Sequence, residues 1–500
     1  MAKPRYANAK WSLLVADLKT GKSLYALDSQ RLSLTGSTRK LFSVGLALNT
    51  LGSAARQTTP VYRRGSVDSR GRLNGDLVLA AGGDLAFGGR RISASKVQYT
   101  HFDHNDANAL GTAILTPQDP LFAVNSLARQ VRAAGIREVR GNIAVDDRLF
   151  APYRVPNGNL LISPMMLNEN MVDVTVAPGA AGKPATVRHR PATAAFSLRG
   201  GVRTSAAGTP AGVTLSGNGR VECIGKPGCS GTIGGTLPFG YRAPLTALRS
   251  FVGTFRVEDP TAFARTAFVE ALRRQGVRVS APPVSPNPTR VLASRFAYPG
   301  ATRVALHRSA PFAQTARLVL KVSLNLGANA SLSLFGLTKG QRTVKGSLAA
   351  ERRTLIDDYG VDGSQFRFPT NGSGTPDSQA SPLALVQLLR SMSRTKVFGA
   401  YRAALPIMGV DGSLAHTGND LPGKGHVFAK PGTTLVPGAD GETLELKAQN
   451  LAGYIETRSG RTVAYALMVN DAGTVEDIER DVSEVFGDEG AISSIIYETL

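Results

Sequence analysis

The sequence predicts an α+β protein in which a helix-rich unit with strands at both chain ends is split by a long β-rich insertion. Three observations predict it. Residues 11–27 alternate like a hairpin, Trp11 to Asp17 and Ser23 to Leu27 around a tight turn at Gly21. Apolar residues recur at helical spacing over 37–51, 312–336, 345–359 and 382–395. Between about 60 and 300, short β-like runs alternate with Gly, Asp and Asn turns.

Taken in order, the hairpin leads through Leu34-Thr35-Gly36 to the segment Ser37–Leu51. Its Leu41, Phe42, Val44, Leu46, Ala47 and Leu51 fit a mostly buried helix, and Ser37 suits a helix N-terminus. The run Gly75–Asp84 reads as a strand ending in turns, Asn125–Gly135 as a helix and Gly141–Asp147 as a strand. Residues 179–245 are rich in Gly, Ala, Thr and Pro, with alternation at Gly212-Val213-Thr214-Leu215. A helix over Pro260–Gly276 precedes a Pro-rich linker, Ala281–Pro288. Gln449–Asn470 reads as two strands around Arg458-Ser459-Gly460, and a last helix covers 475–498. The division is one discontinuous domain, 1–60 plus 300–500, and an inserted β-rich region, 61–299, read as two small domains.

Composition bounds the partners. A chain of 500 residues exceeds one ordinary core. No stretch approaches the roughly 18 unbroken apolar residues that a membrane-spanning helix needs. The first ten residues hold no apolar h-region, so either the protein is cytosolic or the chain is a mature form behind an added Met. The net charge is +21 and the pI about 10.3, which suits anionic partners. A chain with one Trp and no dense basic run interleaved with aromatics argues against nucleic acid and leaves anionic envelope polymers or lipid head groups. Cys223 and Cys229 flank a Gly/Pro turn. A disulfide there would suit an exported protein and close only a short loop; two free thiols are the alternative.

Three elements carry chemistry. Ser-x-x-Lys places a hydroxyl and an amine on one helix face, with the helix N-terminus favouring an anion. The chain holds three copies, Ser37/Lys40, Ser93/Lys96 and Ser393/Lys396, of which only Ser37 opens a long apolar helix. The second element is Ser323-Leu324-Asn325, at the end of an apolar helix, where a hydroxyl and an amide two residues apart can relay a proton and hold a substrate amide. The third is Lys430-Pro431-Gly432-Thr433-Thr434, a Lys on an edge strand with a Gly that allows close approach of substrate to backbone. A literal Lys-Thr-Gly at Lys19-Thr20-Gly21 precedes the nucleophile and reads as a hairpin turn.

The ordered set Ser37-x-x-Lys40, Ser323-x-Asn325 and Lys430-x-Gly432 resembles the penicillin-binding proteins and serine β-lactamases. The long gap between the first two elements narrows the resemblance to the D-alanyl-D-alanine carboxypeptidase/endopeptidase family of penicillin-binding protein 4 type. Gly82-Gly83-Asp84, Asn168-Glu169-Asn170, Asn371-Gly372-Ser373-Gly374 and Val410-Asp411-Gly412-Ser413-Leu414 extend it along the chain. The resemblance implies a β-lactamase/transpeptidase-like domain with a five-stranded antiparallel sheet. It implies peptidoglycan stem peptides as substrates, β-lactams as covalent inhibitors, no cofactor or metal, and a periplasmic or other extracytoplasmic site of action. It assigns attack on the D-Ala-D-Ala carbonyl to Ser37, proton acceptance to Lys40 and proton relay to the leaving amine to Ser323. Asn325 positions Lys40 and the substrate amide, and Lys430 faces the substrate carboxylate. Gly432, Thr433 and Thr434 line the substrate. The backbone N–H groups of Ser37 and Thr433 form the oxyanion hole, each such donor being worth about 2.7–4 kcal/mol.

One departure stands out. The family's Lys-Thr-Gly has Pro431 for Thr, removing a hydroxyl and a backbone N–H, which fits only an edge position. Recognition of a free carboxylate is affected more than nucleophile chemistry, with Thr433 or Thr434 as replacements. Pro431 motivates an alternative, a related esterase, D-amino-acid amidase or weak β-lactamase; the charge motivates another, a non-catalytic cell-wall-binding relative. His101-Phe102-Asp103-His104-Asn105-Asp106 lacks the spacing of a zinc motif and reads as a surface loop.

Overall fold

The period-two alternation at the N-terminus forms β1 (Lys10–Asp17) and β2 (Ser23–Leu27), paired antiparallel with Leu13 opposite Leu27. The coordinates are a computed structural model and describe residues 3–217, 228–294, 297–438, 441 and 443–500. Asp17 accepts from Thr20, so Lys19-Thr20-Gly21 is the turn of this hairpin. A 3₁₀ turn, Gly36–Arg39, leads into α1 (Lys40–Leu51), whose residues 40–48 are all buried. Ser37 therefore lies one turn ahead of the α-helix and makes no capping bond, unlike the N-terminal residue the sequence suggested.

The apolar stretch 312–336, expected as one helix, is two: α2 (Phe312–Lys321) and α3 (Asn325–Thr338). The break falls at Ser323, whose φ of +59° is left-handed and ends the helical path. Then follow α4 (Val344–Asp357), α5 (Pro382–Ser393) and α6 (Phe398–Ala404). Thr343 and Ser381 cap α4 and α5 by accepting from Gly346 N and Ala384 N, as short hydroxyl residues do. Ser393 is the last residue of α5, and Ser93 and Lys96 pair across an exposed two-stranded hairpin; neither of these Ser-x-x-Lys copies opens a helix.

The C-terminal third supplies β3 (Val427–Pro437), β4 (Leu444–Glu456), β5 (Thr462–Asn470) and α7 (Ile478–Thr499). The sheet runs β2-β1-β5-β4-β3, all antiparallel, with a two-residue strand, Thr474–Val475, added beside β4. β3 is an edge, so Pro431 sits where a missing N–H is tolerated. Side chains alternate across the sheet: Trp11, Leu13, Val15, Tyr465, Leu467 and Val469 pack with Val482, Val485 and Ile496 of α7. β1 has six consecutive buried residues because α5 covers its other face.

The chain divides into two compact units. The first holds the chain up to Ala55, Tyr153–Ile162 and Pro311–Leu500; the second holds Arg56–Pro152 and Ser163–Ala310. The boundaries read at 60 and 300 shift to 55 and 310, and a short hairpin, Tyr153–Arg154 with Leu161–Ile162, returns to the first unit. Tyr153 anchors it by donating to Asn329 O at 3.2 Å.

The insertion, read as two small domains, falls in one compact unit with one large apolar core and two small apolar clusters beside it. It contains a six-stranded sheet built on Thr58–Val67, Arg72–Ala80 and Arg303–Arg308, and smaller sheets around Met171–Ala177 and Cys229–Pro238. Its two longer helices, Phe122–Ala133 and Pro260–Arg274, start and stop within three residues of the sequence reading. Cys223 lies outside the described residues, among which no cysteine is free.

Candidate active site

The Ser37 turn is clamped on β3 and β4. Asn450 of β4 donates through Nδ2 to Leu34 O and Thr35 O at 2.9 and 3.0 Å, and Leu34 N donates to Asn470 Oδ1 at 2.8 Å. Gly36 has φ +47°. A Cβ on Gly36 would lie 2.7 Å from Thr433 N, and one on Gly432 would lie 2.3 Å from Thr35 O and 3.0 Å from Ser37 N. Glycine at 432 is thus required by the backbone of the Ser37 turn, a different close approach from the substrate contact read from the sequence. The same distances show that the backbone around Ser37 packs against that around Thr433.

Lys40 links the serines. Its Nζ donates to Ser37 Oγ at 2.5 Å, to Ser323 Oγ at 3.3 Å and to Ser373 O at 3.2 Å. Lys40 is fully buried, while Ser37 and Ser323 are half-buried and open to a ligand. The left-handed backbone at Ser323 costs on the order of 1–3 kcal/mol and turns its hydroxyl back to Lys40. Asn325, half-buried, begins α3.

Strand alternation sorts the third element. Lys430, Gly432 and Thr434 share the face toward the Ser37 turn, and Pro431 and Thr433 share the face toward α7. Lys430 is fully buried, with Nζ donating to Pro431 O at 2.8 Å. Thr433 is half-buried and donates to Gln449 Oε1 at 2.7 Å. Thr434, expected beside it at the substrate, is 2% exposed and its hydroxyl pairs with Thr375 Oγ1 at 3.0 Å. Thr433 alone shares the face of the missing residue-431 hydroxyl.

Sequence reasoning missed the support around Lys40. Asn371 Oδ1 accepts from Ser373 N, Ser373 Oγ and Gly374 N, fixing the loop whose Ser373 carbonyl meets Lys40. Asn329 ties the same loop to α3 by donating to Ser373 Oγ and accepting from Gly372 N. The tetrad Asn371-Gly372-Ser373-Gly374 was the available signal. Arg39 was missed too: it is fully buried, forms an ion pair with Glu351 and lies 3.9 Å over the Phe368 ring.

The His101–Asp106 run, read as a surface loop, is corrected for two of its residues. Asp103 and His104 are buried in the second unit, in a network with Arg90, Glu169, Asp173 and Arg190. Burial opposes a charge on His104, but Asp173 and Glu169 outweigh it and push its pKa up to about 10. Asp103, His104 and Glu169 converge as metal ligands would. Arg90 already occupies their focus, donating to both carboxylates, so the donor set suits an ion-pair network.

The sequence profile described as the D-Ala-D-Ala carboxypeptidase 3 (S13) family matches residues 1–485. A D-alanyl-D-alanine carboxypeptidase of Actinomadura sp. (strain R39) is 27% identical over 478 residues, 88% of this chain and 77% of that protein. The crystal structure of penicillin binding protein 4 (dacB) from Haemophilus influenzae is similar in fold, with TM-score 0.69 and 16% identity over 98% of this chain and 97% of that one. The same H. influenzae protein complexed with a novel β-lactam gives TM-score 0.66 at the same identity and coverage.

Proposed function

The chain belongs to the D-Ala-D-Ala carboxypeptidase 3 (S13) family, and from that membership we propose how this serine carboxypeptidase works, residue by residue. Ser37 Oγ attacks the carbonyl carbon of the penultimate D-Ala of a peptidoglycan stem peptide, and Lys40, as the amine, takes its proton. The developing oxyanion accepts from Ser37 N and Thr433 N. The C–N bond breaks, Ser323 relays a proton to the departing amine of the terminal D-Ala, and an ester to Ser37 remains. Water then cleaves that ester and restores the hydroxyl. Asn325 at the head of α3 holds the substrate amide, and Lys430 supplies positive charge behind the substrate.

The observation that carries this reading is Lys40 Nζ bonded to the hydroxyls of both Ser37 and Ser323. A fluorescent penicillin tests it. Wild type is expected to label covalently and Ser37→Ala to stay dark; labelling that persists in Ser37→Ala defeats the assignment. Pro431 supports the second reading, an esterase or amidase: ester cleavage with no D-Ala release from a stem pentapeptide favours it.

The inserted unit supports affinity for the wall itself. It holds 31 basic and 15 acidic residues, so +16 of the chain's +21 resides there. A groove of about 590 Å³ is lined by Arg63, Arg64, Arg290 and Tyr298, with Asp76 as its one acid among the described residues. Arg63 and Arg64 donate to the carbonyls of Gly65 and Val291, and among the described residues none of the three arginines pairs with a carboxylate. Such a groove suits anionic envelope polymers outside the cytoplasm, where stem peptides lie. Salt-sensitive pelleting with purified cell walls tests this, and pelleting unchanged in an Arg63/Arg64/Arg290→Ser triple variant defeats the groove.

A further inference from the structure

On the face of β3 turned toward α7, a chain of polar side chains leads from the half-buried Thr433 into the core. Thr433 Oγ1 donates to Gln449 Oε1 at 2.7 Å, and Gln449 Nε2 donates to Glu489 Oε2 of α7 at 3.3 Å. Gln449 and Glu489 are fully buried, and Glu489 Oε1 has no hydrogen-bond partner among the described residues. Burial drives the Glu489 carboxyl well above its ordinary range, against the bond from Gln449 that pulls it down. The other titratable groups that sense Glu489 are Tyr465 of β5 and Tyr6 of the N-terminal turn, both pushed up by burial first and so neutral.

The side-chain amide of Gln449 can face either way, since a half-turn exchanges its O and N. With Glu489 ionised, the Gln449 NH₂ must face the carboxylate, its oxygen takes the Thr433 proton, and Thr433 turns lone pairs toward the cleft. With Glu489 protonated, the carboxyl offers a donor as well as an acceptor, so Gln449 is free to turn: its oxygen then accepts the Glu489 O–H and its NH₂ donates to Thr433 Oγ1. The Thr433 hydroxyl hydrogen is then released to point outward. Pro431 has removed the neighbouring hydroxyl, and that of Thr434 is engaged with Thr375. Thr433 is therefore the hydroxyl of this strand left to meet a substrate carboxylate.

We propose that Glu489 is a positioning residue that keeps a proton in the core and, through Gln449, sets the Thr433 hydroxyl as a donor to the free carboxylate of the substrate. The inference rests on the carboxypeptidase reading above and deepens it. A hydrogen bond to a charged acceptor corresponds to roughly 10- to 100-fold in binding.

The experiment compares cleavage of diacetyl-L-Lys-D-Ala-D-Ala with that of the same tripeptide ending in a carboxamide. Wild type is expected to prefer the acid. Glu489→Met and Gln449→Leu are expected to cut that preference roughly 10- to 100-fold, mainly through KM of the acid. Glu489→Gln, whose amide still donates to Gln449, is expected to rescue it. The wild-type preference should also fall on the alkaline side as Glu489 loses its proton, and stay flat in Glu489→Gln. An unchanged preference in Glu489→Met, or an equal loss on both peptides, overturns the inference. A wild type that penicillin acylates at Ser37 but that cleaves neither peptide defeats the carboxypeptidase reading instead, and the inference with it.

Discussion

Each unit buries a cluster of polar side chains, and the two are built on opposite plans. In the inserted unit, Arg90, His104 and Arg190 are set against Asp103, Glu169 and Asp173, charge against charge. In the catalytic unit, Lys40 rests on two hydroxyls and a carbonyl, and the hydroxyls stay half-buried. A buried cluster that balances itself rigidifies its surroundings. One that leaves nucleophilic oxygens facing a cleft is arranged to react. Left-handed backbone is stored in both: Ser323 in the catalytic unit and the consecutive Asn168, Glu169 and Asn170 in the insertion. In the first it aims a hydroxyl; in the second it delivers a carboxylate to Arg90 and His104.

Lys40→Met should separate the two plans most widely. Penicillin acylation is expected to slow at least ~10³-fold, as for loss of one member of a catalytic set, while the denaturant midpoint stays near that of wild type. Arg90→Met should do the reverse. Leaving two carboxylates buried without their cation is expected to cost about 3–5 kcal/mol, seen in the unfolding of the insertion, with the acylation rate per folded molecule unchanged. A loss of acylation in folded Arg90→Met would break the comparison. Gly432→Ala should fall between them. The new Cβ meets Thr35 O, so about 1–3 kcal/mol of stability and a measurable share of acylation rate are expected to go together.

The smallest effect is one of pH. His104 has its pKa raised to about 10 from 6.5. Its contribution is therefore complete below pH 6.5 and drains away as pH rises toward 10. Denaturant midpoints of the insertion should decline across that window and should do so less steeply in His104→Gln.

Much of this was legible in the chain itself. The hairpin at residues 10–27, the helix after Ser37 and the strands on either side of Gly460 follow from local periodicity, which needs no tertiary information. The helix end at Ser323 was read from the sequence, but its left-handed turn was not, because the apolar residues from Leu318 to Leu326 keep helical spacing and only contact with Lys40 makes that turn worthwhile. The burial of Asp103 and His104 was hidden for the same reason. The His104 partners Glu169 and Asp173 are more than 60 residues away, Asp103 is held by Arg90 on a separate segment, and an isolated acid beside a histidine in a polar run looks like surface. Gly432 was recognised as a close approach, but the backbone that approaches it comes from Thr35 and Ser37, nearly 400 residues earlier. The return of Tyr153–Ile162 to the catalytic unit had no local signal, since Tyr153 is held by Asn329.

The pairing of β1 with β5 joins residues 10–17 to 463–470, and Asn450 and Asn470 hold the turn before Ser37. Ser37 thus precedes in the chain nearly every residue that holds its turn. A growing chain presents Ser37 on a loose segment with no clamp, no neighbouring Thr433 and no Lys430. Long-range strand pairing is also the slow part of folding. The site is therefore complete only once the C-terminal strands are made and paired, and until then Ser37 lacks the groups that hold its turn.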